Sequence, residues 1–334
     1  MSVLQIIQEQ YKTLPVLVSS EICAGKVYIV TGANIGLGLE TARHLVACDA
    51  ARVILAVRNT EQGEKARADI EHTTGRKGVA EVWHLDLASF ASVQAFASKA
   101  CGELERLDCL IENAAVALDS WSSAEGMETS ITVNVISTIL LGALLLPKLS
   151  ETARRLTVQT RLVLVVAALG FQSQKELSKS GGGYVFDGFN DPKIADMDGR
   201  YALTKAVEMF AVREFAAMFP VEETGVIINM VSPGLCVTGL TRHTRTWTRA
   251  YIAVARSIMA RTAEEGSRTI LHCVAADESS HGKFLSGCKV KEYWLPDWMT
   301  NREGQSIQKQ IWTELAARLE AIHPGCLVKQ AQRP

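Results

Sequence analysis

Several features are missing from this chain, and each absence narrows what it can be. There is no C-x2-C pair and no cysteine–histidine cluster at zinc spacing. The eight cysteines, at 23, 48, 101, 109, 236, 273, 288 and 326, are scattered, which argues against a zinc module and fits a reduced, cytoplasmic protein with structural thiols. Neither sign of charge is in excess: 35 Lys+Arg against 36 Asp+Glu leave a net charge of −1, so nothing in the balance calls for nucleic acid or an anionic membrane. A long apolar run is lacking too. Leu140–Leu146 falls short of a bilayer span and Pro147 is expected to close it, so no integral membrane segment is expected. Met1–Ser20 carries Gln5, Gln8, Glu9 and Gln10 where a signal peptide would carry a basic start and an apolar core. Internal repeats and low-complexity linkers are absent as well.

What is present is an ordinary globular composition, 48% hydrophobic and 21% charged over 334 residues, enough for one large α/β domain or two small ones. The organising stretch is Lys26–Gly38. A short apolar run rich in β-branched and aromatic residues, Val27–Thr31, reads as a buried strand. Gly32, Gly36 and Gly38 then carry the chain into a helix. Glycine permits positive φ and leaves no Cβ between backbone and ligand, while the helix N-terminus offers unpaired N–H groups, so the turn suits a phosphate. Its Gly-x3-Gly-x-Gly spacing differs from the general Gly-x-Gly-x2-Gly fingerprint, and alone it leaves open the lesser alternative of a tight turn that binds nothing.

Further along, strand-like and helix-like segments alternate. Arg52–Val57, Val79–Leu85, Leu107–Glu112, Arg161–Ala168 and Gly225–Val231 read as strands, with Lys283–Cys288 as a last one. Glu61–His72, Ser89–Leu104, Met127–Leu149, Tyr201–Phe219, Glu264–Ala275 and Ser306–Ile322 read as helices. Strands apolar on both faces, separated by helices, predict an α/β fold: a single Rossmann-type doubly wound parallel sheet with helices on both faces. The expected organisation is a helical extension over 1–24, including an amphipathic Val3–Tyr11, then the Rossmann domain over 25–290 and a C-terminal helical extension over 291–334. Within the domain, the loop 170–199 with Phe171, Tyr184, Phe186 and Phe189 is expected to face a substrate. The stretch 235–262, with Trp247 and Tyr251, is expected to form a lid over a hydrophobic ligand.

Two side chains carry a chemical argument of their own. Tyr201 and Lys205 stand at i and i+4, on one face of a helix. A nearby ammonium favours phenolate, which is what a tyrosine needs in order to exchange a proton near neutral pH. At the end of the second strand stands Arg58, with no acidic residue beside it. An arginine there can fork onto a ribose 2′-phosphate, whereas an acidic residue would accept from the ribose hydroxyls and repel the phosphate. This favours NADP(H) over NAD(H).

Taken together, Thr31-Gly32-x3-Gly36-x-Gly38, Asp86-Leu87, Glu112-Asn113-Ala114-Ala115, Asn134, Tyr201-x3-Lys205 and Ser232-Pro233-Gly234 with Thr238 resemble the short-chain dehydrogenase/reductase superfamily in order and spacing, over about residues 25–288. The branch they look most like holds retinol dehydrogenase-like enzymes and fungal secondary-metabolite reductases. The resemblance implies Tyr201 as acid/base, Lys205 holding the nicotinamide ribose, and Asn134 positioning a water that relays protons to Lys205. It implies a cofactor groove made by Thr31, Gly32, Asn34, Ile35, Gly36, Leu37, Gly38, Arg58, Asp86 at the adenine, Leu87, Asn113, Ala114, Pro233, Gly234 and, at the diphosphate, Thr238. It also implies a homo-oligomer, although an extra C-terminal helix could cap the usual interface.

The pattern is broken in three places. The family carries a Ser-Ser pair at the end of the fifth strand, and aligning Gly170 with the family glycine puts Val166 and Ala167 there, so the serine that donates to a substrate carbonyl is absent. Losing one such donor costs on the order of 10²–10³ in rate, unless Ser173, another loop hydroxyl or the substrate replaces it. Ala115 replaces a glycine, and Glu112 replaces an asparagine. The leading expectation is an NADP(H)-dependent oxidoreductase interconverting a carbonyl and a secondary alcohol on a hydrophobic small molecule. A non-redox isomerase, dehydratase or cyclase on the same fold is the alternative, and a catalytically silent scaffold is the third.

Overall fold

The computed structural model describes residues 9–179, 184–237 and 260–328. Thr238, Trp247, Tyr251, most of the expected lid and the start of the expected N-terminal helix lie outside them.

The strands are β1 (Val27–Thr31), β2 (Arg52–Val57), β3 (Ala80–His84), β4 (Cys109–Glu112), β5 (Ser123–Ala124), β6 (Met127–Glu128), β7 (Thr160–Val165), β8 (Val226–Ser232), β9 (Phe284–Ser286) and β10 (Lys289–Val290). Eight of them form one sheet in the order β3-β2-β1-β4-β7-β8-β9-β10, parallel throughout except for β10, while β5 and β6 make a separate small hairpin. Chain order reverses between β1 and β4: β1 pairs with β2 on one side, Val30 opposite Leu55, and with β4 on the other, Val30 opposite Ile111. Such a switch point opens a crevice at the carboxyl ends of the strands.

Both faces of the sheet are covered. Tyr28 and Val30 of β1 point into a core shared with Leu45 of α1 (Gly36–Ala47) and Ile270 of α6 (Ala263–Ala275). Ile29, between them, points into the opposite core, built with Val93, Leu141, Phe210 and Leu315. Those four come from α3 (Phe90–Glu103), α4 (Thr129–Leu156), α5 (Met197–Met218) and α7 (Arg302–Ile322); α2 (Thr60–Thr74) follows β2. Burial on both faces is why the strands read as continuous apolar runs and not as alternation.

Four expectations need correction. The helix expected to end at Leu149 runs on through Pro147 to Leu156, since the apolar surface on either side is enclosed and burial outweighs one lost backbone hydrogen bond. At full length α4 is apolar enough to cross a membrane, but 89% of its most apolar window is buried inside the protein, which makes it a core helix. The fifth strand stops at Val165, three residues before the expected Ala168, and the chain turns into a 3-10 segment, Ala168–Gln172. The segment 170–199 is not an irregular loop throughout its described part. It holds helices Gln174–Lys179 and Val185–Phe189, and Phe186 and Phe189 are 0% and 2% exposed in the core. Glu314 of α7 accepts from the Val185 and Phe186 amides at 2.9 and 3.1 Å, tying that segment to the C-terminal helix. That helix is no appendage: Ile311, Leu315 and Leu319 are fully buried in the same core as Phe210 and Phe215.

Candidate active site

The glycine turn follows from backbone geometry. Gly32 and Gly36 sit at φ 65° and 61°, where a side chain would be strained, and a Cβ on Gly38 would lie 2.6 Å from both the Gly32 carbonyl oxygen and Asn113 Nδ2. With the turn packed this tightly, α1 begins at Gly36 behind Ile35, and no side chain caps it. Its first N–H groups therefore lack side-chain partners at the carboxyl edge of the sheet, which is where an anion is stabilised. Ile35 is exposed, while Asn34 and Leu37 are half-buried; Asn34 donates to Gln62 at 3.3 Å.

Thr31 and Asn113 hold the floor of this crevice. The buried Thr31 hydroxyl accepts from the Asn113 and Ala114 amides, both at 2.9 Å, and Asn113 Nδ2 donates to the Thr31 carbonyl at 3.0 Å. Both side chains stitch β1 to β4, so they shape the groove from beneath. Asp86 accepts from the Ala88 amide at 2.9 Å, a local turn bond, beside the buried Leu87. At the end of β2, Arg58 is exposed, and among the described residues it has neither an ion-pair nor a hydrogen-bond partner; its neighbour Asn59 caps α2. On the far side, Pro233 is buried and Gly234 is exposed at φ 83°. Gln10 brackets the Leu235 backbone there, accepting from its amide at 3.1 Å and donating to its carbonyl at 2.5 Å, and Arg261 donates to the Pro233 carbonyl.

Across the switch point lies the tyrosine–lysine helix. Asp196 caps α5, and Tyr201 and Lys205 share one of its faces, with Nζ 5.9 Å from the Tyr201 ring centroid. Tyr201 is half-buried, whereas Lys205 is 2% exposed. Lys205 Nζ donates to the Val165 carbonyl at 2.8 Å and to Glu208 at 2.7 Å. Gly170 lets β7 approach this closely: a Cβ there would meet the Ala206 amide nitrogen at 2.8 Å.

Asn134 lies in a π-helical turn, Thr132–Ser137, within α4, an irregularity that often marks a functional site. It is fully buried, accepts from the Val116 amide at 2.8 Å and donates to the Val116 carbonyl at 2.9 Å and to Thr204 at 3.0 Å. Thr204 in turn donates to the Tyr201 carbonyl at 2.8 Å. Asn134 thus joins the loop after β4 to the helix that carries Tyr201.

The strand end beside Tyr201 bears no hydroxyl. Val166 is 1% exposed and Ala167 is half-buried. Ser173, a candidate replacement, is 2% exposed with an unpartnered Oγ, enclosed by protein.

Behind Lys205 sits a group that the motifs do not announce. Glu112 and Glu208 are 3% and 1% exposed, and neither oxygen of Glu112 has a hydrogen-bond partner. Burial, helped by Glu208 and opposed by Lys205, pushes the Glu112 carboxyl well above the ordinary range. Burial also lifts Glu208 to about 6, against the pull of Lys205. For Lys205, burial works downward, but Glu208 and Tyr201 outweigh it and the net direction is up. Glu208, the one charge in the apolar stretch Ala206–Val212, reads from the sequence as a solvated helix charge, and only its apolar neighbours and its i+3 spacing from Lys205 hint otherwise.

A doubly wound sheet with an uncapped helix N-terminus at the carboxyl edge of its switch point defines the class: α/β proteins built to bind a nucleotide. Residues 26–178 match the family model described as short chain dehydrogenase. The chain is 39% identical over 310 residues to the short chain dehydrogenase/reductase dmxR8 of Cryptosporiopsis sp., covering 90% of this chain and 93% of that protein. It is 42% identical over 261 residues to the short chain dehydrogenase atnD of Emericella nidulans, covering 78% and 83%. Among solved structures, a short chain dehydrogenase from Shigella flexneri complexed with NADP gives a TM-score of 0.59 at 20% identity, covering 81% of this chain and 100% of that one. The NADPH-bound carbonyl reductase from chicken fatty liver gives 0.59 at 20%, covering 80% and 98%; at such identities these two speak for the fold. This chain belongs to the short-chain dehydrogenase/reductase family of oxidoreductases.

Proposed function

We propose that the protein is an NADP(H)-dependent oxidoreductase interconverting a carbonyl and a secondary alcohol on a hydrophobic small molecule. The observation that carries this reading is the Tyr201–Lys205 face of α5, standing across the strand ends from the uncapped N-terminus of α1. The cofactor class fits the residues present: open N–H groups for a diphosphate, and Arg58 free for a 2′-phosphate. That the related structures named above hold NADP or NADPH supports the same assignment.

When bound, NADPH supplies the hydride that reduces a carbonyl carbon. The chain's part is the proton: Tyr201 Oη gives it to the oxygen as the C=O π bond breaks, and takes it back in oxidation. Lys205, Asn134 and Thr204 hold Tyr201 in place. Thr31, Asn113 and Ala114 shape the groove, Gly234 and Pro233 close its far edge, and Thr238, outside the described residues, keeps its proposed place at the diphosphate.

The test is hydride transfer from NADPH to a panel of apolar ketones. Tyr201→Phe should lose about 10²–10⁴-fold in kcat/KM while still binding NADPH, and undiminished activity in that variant would refute the assignment. Ala167 favours a second reading, a non-redox isomerase, dehydratase or cyclase using Tyr201 as acid or base. An isomeric product formed without NADPH consumption would support it.

A further inference from the structure

Lysine beside tyrosine is commonly read as a device for ionising the tyrosine. In this chain the lysine is already engaged. Lys205 Nζ lies 2.7 Å from Glu208 and 2.8 Å from the Val165 carbonyl, while the Tyr201 ring centroid is 5.9 Å away. Lys205 and Glu208 are both nearly inaccessible, so water screens the pair little and the carboxylate cancels much of the ammonium's field at the phenol. Among the described residues Lys205 is faced by Tyr201 and Glu208 from α5 and by Glu112 from β4. From the other packed elements, the neutral Val165 carbonyl of β7 accepts from Lys205, and Gly142 of α4 lies against Glu112.

We propose that Glu208 is a positioning residue: the counter-ion that withholds the Lys205 charge from Tyr201 and keeps Tyr201 a phenol, poising the site to donate a proton and so to reduce a carbonyl near neutral pH. The direction of the Tyr201 shift agrees, since burial raises it, Lys205 pulls it down and Glu208 pushes it back up. The proposal rests on Tyr201 being the proton donor, and it adds Glu208 as the residue that sets when the proton is present. In the reduction, the carbon gains a hydride from the reduced nicotinamide, the oxygen gains the Tyr201 proton, and solvent restores that proton to the phenolate.

The test needs no substrate. In protein labelled with ¹³C at the tyrosine ring, the Tyr201 resonance is identified by its loss in Tyr201→Phe and titrated with pH. In Glu208→Gln the unopposed ammonium should lower the Tyr201 midpoint by about one pH unit or more, a tenfold change in its ionisation constant. Glu208→Asp, which keeps the charge, should restore at least half of that shift. Glu112→Gln should leave the midpoint within about 0.3 unit, because Glu112 acts on Lys205 and not on Tyr201. Should Glu208→Gln not fold, Lys205→Met is compared with Lys205→Met/Glu208→Gln: with the ammonium gone the Glu208 carboxylate is unopposed where a tyrosine titrates, and its removal in the double variant should lower the midpoint by about one pH unit. An unmoved midpoint in Glu208→Gln, an equal fall in Glu112→Gln, or the same midpoint in Lys205→Met with and without Glu208→Gln would each overturn the proposal. Hydride transfer alongside an unmoved midpoint would sink the counter-ion alone, whereas a shifted midpoint in a protein that transfers no hydride would sink the oxidoreductase reading and leave the counter-ion standing.

Discussion

A single carboxyl, Glu112, shows how burial changes what a residue means. It stands where the family pattern has an asparagine, and it is enclosed without a hydrogen-bond partner. A group in that state favours its protonated form when the protein is folded, so its folded pKa lies above its unfolded one. The stability this contributes is present below the ordinary carboxylate value and is lost as pH rises through the raised one. Glu112→Gln should therefore gain on the parent as pH increases, its Tm advantage being larger at about pH 8.5 than at about pH 5; an advantage independent of pH would contradict the assignment. Two other side chains yield predictions at this scale. Arg58→Ser should weaken NADPH binding about tenfold or more and leave NADH binding nearly unchanged, as loss of a charge-assisted contact implies; calorimetric Kd values for both nucleotides check it. Ala167→Ser should raise kcat/KM for ketone reduction, by up to about 10²-fold if the missing donor limits the rate, and a fall would point to another group already filling that role. That Tyr201 and Lys205 share one helix face and that Arg58 stands at the end of β2 was legible in the sequence, from i, i+4 spacing and from the end of an apolar run. Glu208 was not, because a glutamate on a helix looks like a surface charge until the packing around it is known.

At the scale of elements, the glycine turn and the parallel strands were legible since both depend on local rules: φ freedom at Gly32 and Gly36, and apolar runs wherever a strand is covered on both faces. Gly38→Ala carries this into a measurement. Its new Cβ would press on the Gly32 carbonyl at 2.6 Å, so the turn must shift, with an expected cost of about 1–3 kcal/mol and weaker nucleotide binding; unchanged thermal unfolding and nucleotide affinity would show the turn to be more pliant than this packing implies. Less legible were the ends of elements. Read from the sequence, α4 stops at Leu149 and β7 extends to Ala168, yet burial carries the helix on to Leu156, and the strand gives way at Val165 to the turn that lays Gly170 against α5. Propensity is a weak local preference, and tertiary packing overrode it in both places.

For the molecule as a whole, the C-terminal helix is the part that the sequence placed least well. Read in order along the chain it looks like an extension, but Trp312 stacks near Phe215 at 5.9 Å and Leu315 is fully buried against the helix that carries Tyr201. Only the folded topology reveals that α5, apolar nearly all round, needs that cover. Leu315→Ala should cost about 2–5 kcal/mol of stability, seen as a lower denaturation midpoint, with a smaller effect expected were the helix a loose appendage. The same arrangement joins two distant ends of the chain around the site: Gln10 holds the backbone of Leu235, and α7 backs the tyrosine helix.

The central claim is that the crevice at the switch point holds a phosphorylated nicotinamide dinucleotide beside Tyr201. Its most direct test is a calorimetric or fluorescence titration of the purified protein with NADPH, with NADH and with buffer alone. The account predicts tight NADPH binding and much weaker NADH binding; binding of neither nucleotide would contradict it.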